Sequence, residues 1–394
     1  MSVNRYFRIL TMAAVVSLCA VLVNIGKTQS ASASQNSGAQ PSANPPGPKK
    51  AEEEFKNIQV LKGIPADQVF PTMQFITASL GVECDFCHVQ NAFEKDDKKP
   101  KEIARKMMEM MFAINKDNFE GHREVTCYSC HRGNAKPVAI PAVMTEEPKA
   151  GVGDPHQPGG ERAETKQANG PTAQQLIDKY VQASGGASAI DKVTSRVMKG
   201  TIDFGGRSLP IDIYSKDPEK RISFTHVPDG DSVTAFNGQQ GWLGSPGRPL
   251  RDMRGSDLDA AAIDADLHLA TDLGKMFSKL QVRGVERIDD KDTYEVLGQR
   301  EGKTPIRLYF DQQSGLLLRL VRFGDTALGW LPTEIDYADY REVNGVKVPY
   351  RWTLARPSGK FTIQISELNQ NVPVDDAKFD RPASPAEPSK AATK

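Results

Sequence analysis

Two arrangements of apolar residues divide this chain. In the first third they recur at three- and four-residue spacing, which predicts helices. One helix, with Pro71 in its first turn, runs through Phe75 and Ile76 to Leu80, where Gly81 stops it. A second starts near Pro100 and carries Ile103, Met107, Met110, Met111 and Ile114 as one apolar face. Beyond residue 170 a short helix (171–183) leads into segments that alternate apolar and polar residues: SRVMKGTIDF, LPIDIYSK, KRISFTHV, IRLYFD, GLLLRLVRF, VKVPYRWTL and FTIQISEL. Asn237-Gly238 and Asn344-Gly345 mark turns between such strands, and a helical insert over 256–277 interrupts the series. The pattern predicts a multidomain α + β chain. A small, mostly helical domain precedes a linker, and an antiparallel, β-rich, half-barrel-like domain with helices follows.

Composition refines the boundaries. Arg5 and Arg8 flank an apolar run over 9–25, and Ala31-Ser32-Ala33 fits a small-residue cleavage site. Residues 1–33 therefore read as an export signal or, uncleaved, as an N-terminal membrane anchor. Cys19 inside the run is an apolar signal residue. Residues 34–50 form a polar tether, 51–137 the helical domain, 138–170 a Pro- and Gly-rich linker, 171–382 the β-rich domain and 383–394 a disordered tail. Lysine plus arginine balance aspartate plus glutamate at 50 each, with no basic stripe, which argues against a nucleic-acid partner.

The four cysteines outside the signal all lie in two units, CDFCH (84–88) and CYSCH (127–131). A structural zinc site would use four ligands and gives no reason for a histidine directly after each pair. A redox dithiol needs a helix N-terminus in a βαβ pattern, which neither unit has. Covalent haem accounts for every residue. Cys84 and Cys87, and Cys127 and Cys130, bind the porphyrin as thioethers, and His88 and His131 supply proximal nitrogens to two c-type haems. Each helix leads into V-x-C-x-x-C-H, so helix, loop and CxxCH form a repeated unit. For a sixth ligand, Met73 on the first helix and Met107 on the second are candidates. So are the other methionines of MMEMM and His122, while methionine at helical spacing is also ordinary core. Arg132 is a candidate partner for a haem propionate.

NIQVLKGIP, TMQFITASLGVECDFCH, ARKMMEMMFAIN and VTCYSCHRG together resemble the cytochrome c subunit of photosynthetic reaction centres over residues 55–137. The resemblance implies that Met73 is the distal ligand of the first haem and Met107 of the second. That family carries four haems in two halves, and this chain has material for one half, which leaves His122 without an evident haem. A redox partner, such as a membrane reaction centre or electron-transport complex, follows from the likeness, as does a place in photosynthesis. More loosely, QLIDKYVQASGGASAIDKV, RLYFDQQSGLLLRL and NGVKVPYRW resemble the outer-membrane lipoprotein-sorting carriers, which implies an apolar ligand cavity in the β domain. Trp242, Trp330 and Trp352 would be its lining or core. The favoured reading is an exported dihaem electron carrier and not an enzyme. The alternatives are a dihaem peroxidase-like enzyme or sensor with one open iron position, and a lipid-binding carrier.

Overall fold

The computed structural model describes residues 49–137, 170–357 and 359–382. The signal or anchor, most of the tether, the linker up to residue 169 and the tail lie outside them.

Five helices form the N-terminal part: α1 (Ala51–Glu54), α2 (Val69–Leu80), α3 (Cys84–Cys87), α4 (Lys99–Asn118) and α5 (Cys127–His131). Gly81 ends α2 in the left-handed region, φ +63°, where its missing Cβ carries no penalty. That glycine also permits a close backbone approach. Gly133 N–H donates to the Ser79 carbonyl at 2.9 Å, and a Cβ on Gly81 would stand 2.1 Å from the Gly133 oxygen. Helix α2 packs against α5, and α4 against α3, so each long helix rests on the CxxCH turn of the other repeat.

Helix α4 departs from the single apolar face expected of it. Its buried residues are Lys101, Met108, Met111 and Asn115, whereas Ile103, Met107 and Met110 are exposed. The physical reason is the run MMEMM. Residues three apart share a helix face, so Met108 and Met111 form one stripe and Met107 and Met110 the next. The first stripe joins Leu61, Phe75 and Ile76 in a compact core.

The β-rich part opens with α6 (Ala173–Ala183) and α7 (Ala187–Ile190). Six strands then run outward from the sheet centre: β1 (Ser195–Phe204), β2 (Arg207–Lys216), β3 (Lys220–Val227), β4 (Gly230–Asn237), β5 (Gly241–Gly244) and β6 (Arg251–Asp252). Helices α8 (Gly255–Ala265) and α9 (Leu269–Met276) carry the chain to the opposite edge. From there β7 (Lys279–Ile288), β8 (Lys291–Arg300), β9 (Lys303–Asp311), β10 (Leu317–Asp325), β11 (Trp330–Val343), β12 (Val346–Arg356) and β13 (Gly359–Gln370) return to the centre, where β13 pairs with β1. The result is one antiparallel sheet of 13 strands wrapped around helices. Its main core joins Leu176 and Ile177 of α6 and Leu273 of α9 to inward-facing residues such as Ile213, Leu308 and Leu320. Asn344 and Gly345, both at positive φ, make the two-residue turn that their sequence predicts. The fold class is the expected one.

The two parts share a core. In the turn joining β10 to β11, Leu328 is wholly buried, and it enters the Phe75–Ile76–Met108–Met111 cluster together with Leu331. Gly329 fits because it has no side chain: a Cβ there would lie 2.5 Å from the Phe75 ring. Arg123 donates to the Thr326 carbonyl and pairs with Asp325 at 2.6 Å. The described residues form one compact unit.

Candidate functional site

Each CxxC is a single helical turn, which places the two sulfurs on one side of the backbone, three residues apart. None of the four cysteines is in a disulfide. In the first unit Glu83 enters in extended conformation, and His88 N–H closes the turn on the Cys84 carbonyl at 3.0 Å. In the second, Thr126 caps the turn, its N–H donating to Ser129 Oγ at 3.0 Å. Arg132, exposed and at φ +47°, ends the turn.

The two histidines are held alike. His88 Nδ1 lies 3.0 Å from the Phe93 carbonyl and His131 Nδ1 lies 2.9 Å from the Asn134 carbonyl. A carbonyl only accepts, so in each ring Nδ1 carries the hydrogen and Nε2 keeps its lone pair. This is how metal-ligating histidines are oriented: the outer nitrogen is fixed by a backbone acceptor and the inner one is free for the ion. Burial lowers the His88 pKa, and nearby Lys101 and Arg105 push it the same way, which favours the neutral ring a metal needs.

The Phe93 carbonyl has a second donor. Lys101 Nζ reaches it at 2.8 Å and also reaches the Lys95 carbonyl at 2.7 Å and Asp96 at 2.9 Å. Asp96 in turn accepts from Arg105 at 3.0 Å and Asn57 at 3.0 Å. Hydrogen bonds from Arg105, Lys101 and Asn57 hold the Asp96 carboxyl far below the ordinary range. The loop that orients His88 is therefore tied to α4 by a buried lysine. Sequence reasoning missed this network and the Phe93 and Asn134 carbonyls. Backbone acceptors leave no residue-type signal, and the spacing of Lys101 and Arg105 reads as a solvated helix face.

The structure sorts the candidate distal ligands. Met108 and Met111 are core, at 7% and 5% exposure, while Met107 is free on the exposed stripe. Met73 is half-buried in the shared cluster, alongside Val125 and Cys127. His122 is exposed in the loop after α4. Apart from Phe204 and Val285, every large apolar side chain left exposed among the described residues belongs to the helical part, including Phe86, Phe93, Ile103, Met107, Met110 and Tyr128. Phe86 and Tyr128 lie within the CxxCH turns, Phe93 just after the first of them, and Ile103, Met107 and Met110 on α4, and they suit the apolar faces of a porphyrin. Paired thiols, oriented imidazoles and an apolar surround fit covalent haem.

The rival chemistries fit less well. Burial raises the thiol pKa of Cys87 and Cys127, the reverse of an activated dithiol. Among the described residues, the group with three donors within metal-binding reach of one another is Asp266, His268 and Asp272, in the β-rich part. The four cysteines do not converge on a tetrahedral site. Of the tryptophans, Trp242 is fully buried core, Trp330 packs on Phe323 and Trp352 lines a cavity.

Comparison with known proteins points to the c-type cytochromes. Residues 14–195 match the family model described as photosynthetic reaction centre cytochrome C subunit. The photosynthetic reaction center cytochrome c subunit of Thermochromatium tepidum is 38% identical over 102 residues, 25% of this chain and 25% of that protein. That of Rubrivivax gelatinosus is 34% identical over 106 residues, 26% and 28% of the two chains. Cytochrome c-554 of Chloroflexus aurantiacus is 35% identical over 82 residues, 19% and 20%. The chain thus spans about a quarter of the length of the first two relatives and a fifth of the third. These relatives are all c-type cytochromes. Among solved structures, a DUF1329 family protein from Desulfovibrio piger aligns over 53% of this chain and 97% of its own, at 17% identity and TM-score 0.38. A LolA superfamily protein from Nitrosomonas europaea aligns over 54% and 99%, at 15% identity and TM-score 0.37.

Proposed function

We propose that this chain is an exported dihaem c-type cytochrome that carries electrons by outer-sphere transfer. The observation that carries the reading is the repeated histidine geometry: two CxxCH turns, each with Nδ1 tied to a backbone carbonyl and Nε2 left to bind iron. Cys84 and Cys87 hold one haem as thioethers, and Cys127 and Cys130 hold the other. His88 and His131 are the proximal ligands, Met73 is the distal ligand of the first haem and Met107 that of the second. The haems supply the one-electron couple. His88, His131, Met73 and Met107 would hold the iron in both oxidation states, so that little would reorganise when an electron passes, and the apolar side chains around the turns would keep water from the porphyrin. Lys101 and the Phe93 carbonyl hold the His88 ring in one orientation through the cycle. With Met73 and Met107 as sixth ligands, neither haem would keep a position for a substrate, the arrangement of an electron carrier and not of an enzyme.

The relatives' names point to the partner: a redox protein of the membrane, either a photosynthetic reaction centre or another electron-transport complex. The apolar run over 9–25 supports a location outside the cytoplasm, with the chain delivered by a signal or held by an anchor. No helix among the described residues is long and apolar enough to cross a membrane.

The test is an absorption spectrum of the exported protein, oxidised and reduced, with covalent haem measured per chain and carbon monoxide added. Two low-spin haems indifferent to carbon monoxide are expected. One haem binding carbon monoxide would move the reading to an enzyme or sensor, and a chain without covalent haem would refute it.

A further inference from the structure

The concave face of the sheet encloses a cavity of about 460 Å³, within the roughly 300–1,000 Å³ of small-molecule sites. Part of its wall is apolar and continuous. Ile202 of β1 stands opposite Ile363 of β13, Ile363 opposite Trp352 of β12, and Leu354 opposite Phe361, and all five line the space.

Another part is cationic. Gln370, Arg196, Ser215 and Arg221 occupy directly paired positions on β13, β1, β2 and β3, so their side chains issue from one face in a single cross-strand row. Gln370 and Ser215 are buried. Arg196 and Arg221 sit two strands apart, about 10 Å between their Cα atoms at the usual strand spacing. Both line the cavity. Neither has a carboxylate partner within ion-pair distance among the described residues. Arg196 donates to Gln370 Oε1 at 3.2 Å and Arg221 to Ser215 Oγ at 3.4 Å, both neutral acceptors.

The lining as a whole carries a net positive charge. It holds six basic residues (Arg196, Arg221, Arg251, Arg322, Lys347 and Arg356) and three acids (Asp257, Asp264 and Asp266). Arg322 is neutralised by a two-pronged pair with Asp264, at 2.7 and 3.0 Å, and Arg251 lies 3.5 Å from Asp257. The surplus is Arg196, Arg221, Arg356 and Lys347 against Asp266. Burial lowers the guanidinium pKa of Arg196 to about 10 and that of Arg221 and Arg356 below the ordinary value, and for Arg221 it outweighs the opposing charge of Asp264. Buried charges are ordinarily paired. Here the protein supplies planar, fork-shaped donors suited to a carboxylate or phosphate, and Asp264, whose charge is felt by Arg221, is already spent on Arg322.

We propose that the cavity binds an amphiphile with one anionic head, a carboxylate or phosphate monoester. The head lies against Arg196 and Arg221, and an apolar tail lies along Ile202, Trp352, Leu354, Phe361 and Ile363. This site is separate from the haem turns, and the inference does not rest on the electron-transfer reading.

Equilibrium binding to the full, delipidated holoprotein tests it, with four probes: palmitate, palmitoyl lysophosphatidic acid, hexadecanol and inorganic phosphate. Palmitate or the lysophosphatidic acid should bind one per chain, at least about ten-fold tighter than hexadecanol, because the charged head gains charge-assisted hydrogen bonds that the alcohol lacks. The preferred head distinguishes a fatty acid from a phospholipid source. Arg196→Gln and Arg221→Gln should each weaken binding of the preferred amphiphile about ten-fold and leave hexadecanol unchanged, while Arg221→Lys, which keeps the charge but not the fork, should weaken it less than Arg221→Gln. Equal binding of palmitate, lysophosphatidic acid and hexadecanol would overturn the anionic head. Phosphate binding as tightly as the tailed ligands would overturn the tail. Absence of binding to protein with native circular dichroism would overturn both. If the Gln variants fail to fold, the four-probe ranking on the unaltered chain still decides.

Discussion

The junction between the two parts should be measurable through one side chain. Leu328 has no exposed surface and enters a cluster of only seven buried apolar residues, five of them from the helical part. Its own turn cannot follow a shrinking side chain. Thr326 Oγ1 accepts from Gly329 N at 3.1 Å and Leu328 N at 3.3 Å, and donates to the Gly329 carbonyl at 2.6 Å. Leu328→Ala therefore leaves a cavity that does not collapse. Buried Leu→Ala changes cost about 2–5 kcal/mol, and a site that relaxes poorly lies in the upper part of that range, about 3–4 kcal/mol. Urea unfolding should be followed by two signals: haem absorbance for the helical part, and fluorescence of Trp242, Trp330 and Trp352, all in the β-rich part. The unfolding free energy from the haem transition should fall by that amount, with the midpoint moving to lower urea. Leu328→Met, which conserves volume, should cost less than about 1.5 kcal/mol. A change under about 1 kcal/mol for Leu328→Ala would refute the shared core.

Other changes separate ligand from packing. Met73→Ala should open one iron to carbon monoxide and lower its potential, whereas Met108→Ala should leave the spectrum alone and destabilise by about 2–5 kcal/mol; a new carbon monoxide band in the Met108 variant instead would reverse the assignment. Gly81→Ala puts a Cβ both at positive φ and 2.1 Å from the Gly133 oxygen, so it should cost more than the roughly 1–2 kcal/mol of the left-handed conformation alone, read as a lowered unfolding midpoint. Burial pushes Asp266 up to about 6 from an ordinary 3.8, so between those values the folded chain holds a proton that the unfolded chain has lost. Stability should fall as pH rises from about 4 to 6, and Asp266→Asn should flatten that slope; an unchanged slope would show that Asp266 titrates normally.

The sequence by itself determined what is local or chemical. CxxCH points to covalent haem because two thioether bonds and a proximal nitrogen would need those atoms within five residues. Gly81 and Asn344-Gly345 were legible as a helix stop and a hairpin turn because their backbone geometry depends on the residue alone. Strands with strong alternation, β1 and β3 among them, could be read directly. The polar β7, β8 and β11 could not, since their burial depends on neighbours far away in the chain. Only the tertiary structure decided which methionines of MMEMM are core, because side-chain spacing is symmetric about a helix until something packs on one side. It also decided that a carbonyl at Phe93 or Asn134 fixes each histidine, that Leu328 joins helices more than 200 positions earlier, and that Arg196 and Arg221 face one cavity. These are long-range contacts, and a residue's own chemistry does not say which distant partner it will meet.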